Sequence, residues 1–172
     1  MANYIPIQTV TVGSGGVGTI TFSSIPATYT DLVVKASIRT DRAGTGGDGL
    51  NLTFNGSGGT AYSDRFLRGD GASATSFTDT SAAVIYGARA TTAGNTASTF
   101  SNIEFYIPNY TSSNYKSVSI DGVSETNATT AYAELVAGLW SNTAAITSIT
   151  IAGSVGTIQQ YSTFTLYGIR KY

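Results

Sequence analysis

The 172-residue chain contains no histidine and no cysteine. Without histidine it lacks the side chain that titrates near neutral pH and most often ligates metals. Without cysteine it lacks the readiest nucleophile and soft metal ligand. Serine is abundant, but without histidine a Ser-His-Asp triad is impossible. Disulfides and thiolate zinc sites are excluded as sources of stability, which leaves the core and any oligomer contacts. The composition points to a structural or binding protein, not an enzyme, with no cofactor and no metal.

Charge is scarce as well. Lys, Arg, Asp and Glu make up 11% of the chain, against about 25% in an ordinary globular protein, so Ser, Thr, Asn and Gly must cover most of the exterior. Such a surface suits dense packing beside other subunits. The net charge is -1 and the basic residues are dispersed; Arg65 and Arg68 come nearest to a cluster, and Asp64 and Asp70 flank them. Nothing attracts a phosphate backbone or an anionic membrane at long range, which disfavours nucleic acid and membrane as partners. No apolar run approaches the roughly 20 residues of a membrane span. MANYIPIQTV has neither the basic nor the apolar region of a signal peptide, which points to synthesis in a cytosol.

What the chain does have is period-two alternation, the mark of strands with one buried face. In DLVVKASIR, Leu32, Val34, Ala36 and Ile38 share one face, and Lys35, Ser37 and Arg39 the other. The same pattern turns Leu50, Leu52 and Phe54 inward, and likewise Ile103, Phe105 and Ile107. ITSITIAG and STFTLYGIR give two further strands, pairing Ile149 with Ile151 and Phe164 with Leu166. Weaker alternation marks Ile5 to Val12, Thr19 to Ser23, Tyr62 to Leu67, Ala82 to Ala88, Lys116 to Val123 and Ala131 to Trp140. GSGGVG, DRAGTGGDG, NGSGGT, RGDGASATS and TTAGNTAS read as turns and loops between them. Roughly ten short strands with no helix-period segment predict an all-β fold. Residues 1–172 read as a single antiparallel β-sandwich domain, with a jelly roll as first choice.

Several motifs fall to plainer readings. Gly13, Gly15 and Gly18 satisfy GxGxxG, but the strand-like TITFSSIP follows where a nucleotide fingerprint needs a helix, so the glycines read as a hairpin turn. Arg68, Gly69 and Asp70 spell RGD where LRGDGAS already reads as a strand entering a turn. Asp41 and Asp48 flank AGTGG, but two carboxylates beside Arg39 and Arg42 make a poor calcium site and a plausible solvated loop. Glu104, Glu125 and Glu134 show no paired arrangement for glycoside hydrolysis and read as solvated strand faces. The N-x-[ST] sequons at Asn51, Asn55, Asn109 and Asn127 carry little meaning in a Ser/Thr-rich chain.

Eleven Tyr and one Trp accompany seven Phe. Tyr and Trp bury large area while keeping a polar handle, and both are enriched in interface hot spots. On AYAELVAGLW, Ala133, Leu135, Ala137 and Leu139 share one face, and Tyr132, Glu134, Val136 and Trp140 the other. The candidate interface residues are Tyr4, Tyr106, Tyr110, Tyr115, Tyr132 and Trp140, facing neighbouring subunits or a glycan. The competing reading places several of them at the ends of a core.

Three stretches occur in a telling order: MANYIPIQTVTV with TITFSSIPATYTDLVV, then LNLTFNGSGGTAYSDRFLRGDG, then GLWSNTAAITSITIAGSVGTIQQYSTFTLYGIRKY. Covering most of the chain, they resemble small virion structural proteins of tailed bacteriophages. The shared pattern consists of core and turn positions, so no active-site residue carries over. The resemblance implies a β-sandwich, often a jelly roll, that attaches to a capsid or tail as a symmetric oligomer. Its place would be the virion, after synthesis in a host bacterial cytoplasm. A fibre subunit needs an anchor and shaft before its head, and none precedes the first strand here. The expectation is therefore a capsid decoration or cement protein, a homotrimer bound to the major capsid protein or other virion proteins. The alternative is a head or tail fibre component that contacts host surface glycans.

Overall fold

A computed structural model describes residues 3–170, leaving the ends of the expected domain, residues 1–2 and 171–172, outside the described residues. The described chain is all-β. It comprises β1 (Asn3–Thr11), β2 (Thr19–Phe22), β3 (Asp31–Thr40), β4 (Asp48–Phe54), β5 (Tyr62–Gly69), β6 (Ala74–Ala82), β7 (Ile85–Thr92), β8 (Ser101–Ile107), β9 (Lys116–Ser124), β10 (Tyr132–Trp140), β11 (Ile149–Gly153) and β12 (Thr163–Arg170). Four antiparallel pairs are nested inside one another: β1 with β12, β2 with β11, β3 with β8, and β4 with β7. β12 also pairs β3, and β11 also pairs β4. The strands thus run as β1-β12-β3-β8-β9-β10-β5-β6 and as β2-β11-β4-β7. A two-residue parallel contact, Arg39 and Thr40 against Thr91 and Thr92, makes one continuous, mostly antiparallel sheet of these two ladders. β5-β6 is inserted between β4 and β7, and β9-β10 between β8 and β11; together they double the width of the first ladder.

The alternation predicted for β4, β8 and β12 is realised in their burial, whereas β3 also buries Val33 and Arg39 on the opposite face. Val34 and Ile38 on β3, Ile103 and Phe105 on β8, and Phe164 and Leu166 on β12 share one core with Leu52, Phe54, Ile149 and Ile151 of the narrower ladder. β7 lies across β9 and β10, and two glycines permit that approach. A Cβ at Gly122 would come within 2.6 Å of Ala88 Cβ, and one at Gly138 within 2.6 Å of Ile85 Cγ2. The edge strand β1 carries Pro6, whose missing donor is tolerated there, and the register shifts between Pro6 and Gln8.

Two expectations need correction. Residues 74–76 were expected as the end of a loop, but they open β6, whose side chains are exposed on both faces apart from the half-buried Ala82. With neither face buried, no alternation was there to read. The strand expected over Ala82 to Ala88 runs instead from Ile85 to Thr92, because Ala88 adopts φ +69 and the β4-β7 register slips between Gly49 and Asn51. A bulge of this kind breaks period two.

Candidate assembly surface

The outer face of the eight-stranded ladder is set by β10. Its residues Glu134, Val136, Gly138 and Trp140 turn inward, so Ala133, Leu135 and Ala137 turn out. Residues opposite one another on paired strands share a face. Leu135 stands opposite Leu67 on β5 and Asp121 on β9, and Ala133 opposite Gly69 and Val123. Ala137 stands opposite Arg65 and Ser119. Farther across, Asp121 faces Glu104 on β8, which in turn faces Lys35 on β3. Lys35 Nζ lies 2.9 Å from Glu104 Oε2, an exposed ion pair worth little on its own.

Leu67, Val123 and Leu135 are 53%, 43% and 59% exposed. Depressions of about 500 Å³ and 360 Å³ flank Leu135, one toward Ala137 and Tyr106, the other toward Ala133 and Val123. Single exposed leucines are ordinary, but a contiguous stripe with small neighbours and a polar rim has the anatomy of an interface. Such a surface can bury area against another macromolecule.

A buried ionic cluster holds this face in place. β7 is the edge of its ladder, and carboxylates from the opposite ladder take up its free donors. Tyr86 N–H donates to Asp64 Oδ2 (2.9 Å) and Arg89 N–H to Glu134 Oε2 (2.6 Å). Glu134 also accepts from Arg68 Nε and from the Tyr86 hydroxyl at 3.1 Å. Arg68 donates in turn to the Tyr86 oxygen at 3.0 Å. Burial raises the Tyr86 phenol well above its usual range, with the Glu134 charge adding to the effect. The carboxylates were expected on solvated strand faces, yet Asp64 and Glu134 are only 3% exposed each. In the sequence Glu134 shares an alternation face with Val136 and Trp140, but the opposite face carries Leu135 and Leu139, so the pattern does not say which face is inner.

Burial also raises the Asp64 carboxyl above its ordinary 3.8, outweighing the Tyr86 hydrogen bond, and Asp79 pushes the same way. Its Oδ1 has no hydrogen-bond partner among the described residues. A raised folded-state value means that the stability linked to protonation is full below 3.8 and is lost as pH rises through the folded value. Asp64→Asn should therefore gain in melting temperature relative to the parent as pH rises from about 4 to 7. A parallel pH profile for the two proteins would contradict this origin.

The six tyrosine and tryptophan candidates divide. Tyr4, 48% exposed, meets Tyr167 edge-on at 6.1 Å and lies under Lys35. Tyr106 lines the larger depression and donates its hydroxyl to Asp31 at 3.0 Å; burial and that carboxylate raise its phenol. Tyr115 is exposed in the β8-β9 connection. Tyr132 is half-buried, with the guanidinium carbons of Arg89 and Arg68 at 5.0 and 5.6 Å from its ring centroid. Tyr110 and Trp140 are interior. Tyr110 bonds Pro26 O, and Trp140 packs on Phe54 and Tyr62 with ring centroids 5.6 and 6.4 Å away. Their enclosure by β4, β5 and the 26–29 segment leaves neither ring free to meet a neighbour.

The other motifs have structural uses. Gly15 and Gly16 turn β1 into β2 at φ +92 and +71. Arg68 of the RGD is spent on Glu134, and Asp70 closes its own turn by accepting from Ala72 N–H (2.9 Å) and Ser73 N–H (2.7 Å). Asp48, expected in a solvated loop, is fully buried and accepts from Val155 N–H (3.2 Å) and Gly156 N–H (2.9 Å). A scan against family models found no match, and searches of curated proteins and of solved structures likewise returned none.

Proposed function

We propose that the chain is a non-enzymatic structural subunit of a phage virion: a jelly-roll decoration or cement protein working as a homotrimer on the capsid. The nested pairing supports the jelly-roll reading. Folding one long antiparallel hairpin over on itself gives the neighbour orders 1-8-3-6 and 2-7-4-5, and β1-β12-β3-β8 with β2-β11-β4-β7 follow that order once the two insertions are set aside. Rolls of this kind build many capsid proteins.

The observation that carries the assembly reading is the outer face with its Leu67-Leu135-Val123 stripe. Its occupant is a second copy of this chain. Eight strands about 4.8 Å apart and about seven residues long present on the order of 900 Å². That matches the roughly 800 Å² per partner of a standard stable interface. In a closed cyclic trimer this face would meet a different patch of the next copy, a heterologous contact that closes into a ring.

Light scattering on the purified chain should give a mass three times its own. Leu135→Lys should lower that to the single-chain mass while the separated chain stays folded, since the residue is exposed and outside the core. A parent chain that stays monomeric at high concentration sinks the self-assembly reading. Particles lacking the protein should release their genome at lower temperature than complete ones; equal stability would remove the cement role.

A further inference from the structure

At one end of the fold, loops and strand ends converge on a second and quite different surface, a polar cleft of about 460 Å³. Small-molecule sites span about 300–1,000 Å³. Arg39 and Asp41 come from the end of β3, Phe100 from the β7-β8 connection, and Gln159, Gln160 and Tyr161 from the β11-β12 connection.

Tyr161 is 70% exposed, and its backbone sits at φ +71, pinned by a 3.0 Å bond from its N–H to Val12 O. A bulky residue in the left-handed region costs about 1–3 kcal/mol, whereas glycine adopts it freely. The ring gives the core little in return, so its value must lie at the surface. Beside it, the side-chain amides of Gln159 and Gln160 have no hydrogen-bond partner among the described residues. Asp41 accepts from the Thr157 hydroxyl and, at 2.7 Å, from its N–H; these bonds hold the carboxyl below its usual range and keep it an ionised acceptor.

Arg39 does not make the cleft an anion site. Its guanidinium is committed to the carbonyls of Thr99 (2.8 Å), Thr96 (3.0 Å), Asn95 (3.1 Å) and Ala93 (3.4 Å). That fan of bonds shapes the connection that presents Phe100. With the cation spent and Asp41 ionised, the cleft offers no welcome to phosphate or carboxylate. It offers an aromatic ring, two amides that both donate and accept, and one strong acceptor. A pyranose matches that set, with a C–H face for the ring and a rim of hydroxyls that donate and accept.

We propose that this cleft binds a neutral saccharide, its ring packed on Tyr161 and its hydroxyls held by Gln159, Gln160 and Asp41. The site is separate from the outer face, so the proposal stands or falls independently of the assembly reading. In a multimer, repeated weak sites of this kind would gain about 10²–10⁴ in avidity on a glycan-coated surface.

The test is saturation-transfer NMR and calorimetry on the full chain. The probes are the methyl glycosides of glucose, galactose, mannose, rhamnose and N-acetylglucosamine, with glucuronic acid as the acidic comparison. At least one neutral glycoside should bind saturably. Tyr161→Gly should weaken it at least about tenfold while leaving the melting temperature equal or higher, because glycine relieves the backbone. Gln159→Ala should weaken it too. The proposal is overturned if no neutral glycoside saturates, if glucuronic acid alone binds, or if Tyr161→Gly binds like the parent.

Discussion

Replacing Glu134 with alanine should destabilise the protein by about 3–5 kcal/mol, the cost of removing one partner from a buried ionic cluster. The loss exceeds that of a single ion pair because Glu134 serves three groups. It accepts from Arg68, from the Tyr86 hydroxyl and from the Arg89 backbone N–H. Alanine leaves the Arg68 guanidinium, the Tyr86 hydroxyl and an edge-strand donor without this acceptor, and each buried unsatisfied group costs about 1–3 kcal/mol. Glutamine should cost less, since its carbonyl oxygen can still accept one of these bonds. Urea unfolding of the two variants against the parent reads the difference. The expected order is alanine well below glutamine, and glutamine below the parent. An alanine variant within about 1 kcal/mol of the parent would mean that the cluster is replaceable by water.

Trp140→Ala should cost a similar amount, about 3–5 kcal/mol, through a different route. Here the loss is packing, because the indole fills the space between Phe54 and Tyr62 while its Nε1 reaches Ser57 Oγ at 3.4 Å. Tyr62 in turn accepts from Phe54 N–H at 2.9 Å, so the aromatic cluster also fixes the start of the β4-β5 connection. The contrast with Leu135→Lys is the useful one. Trp140→Ala should lower stability and leave the mass of the assembly unchanged wherever the chain still folds. Leu135→Lys should split the assembly, and its melting temperature should fall only by what the lost contacts contributed. If Trp140→Ala instead dissociated the oligomer at unchanged melting temperature, the indole would be an interface anchor after all.

That contrast also shows which features were legible in the sequence. β3, β4, β8 and β12 bury one face against a common core, so their alternation is written in the residues themselves. β6 could not be read, because a strand solvated on both faces needs no pattern and ATSFTDTSA holds a single large apolar residue, Phe77, itself 56% exposed. β10 was readable as a two-faced strand, but which face turned inward was not, since Leu135 and Trp140 are both apolar. The inside is decided by β7 crossing at Gly138, a contact made through residues far away in the chain. The ionic cluster was hidden for the same reason, its members lying on β5, β7 and β10. The cleft was hidden differently. Its residues sit in loops without periodicity, and the one telling fact about Tyr161, its backbone angle, is not a property of composition.

The nested pairing bears on how the chain reaches this state. Among the described residues β1 pairs only with β12 and β2 only with β11, so of these strands the first two made wait for the last two. Closing such long loops before their contacts reward them is slow. The β5-β6 and β9-β10 neighbours, by contrast, are local in sequence and can zip early. The order of events should then be inside out, with the inserted hairpins and β3-β8 forming a platform before the outer pairs close over it. Until β12 docks, β1 and β3 both present open edges, and a chain stalled short of residue 163 keeps them open. For a protein with no disulfide to trap a partial fold, the last eight-residue strand acts as the latch of the whole structure.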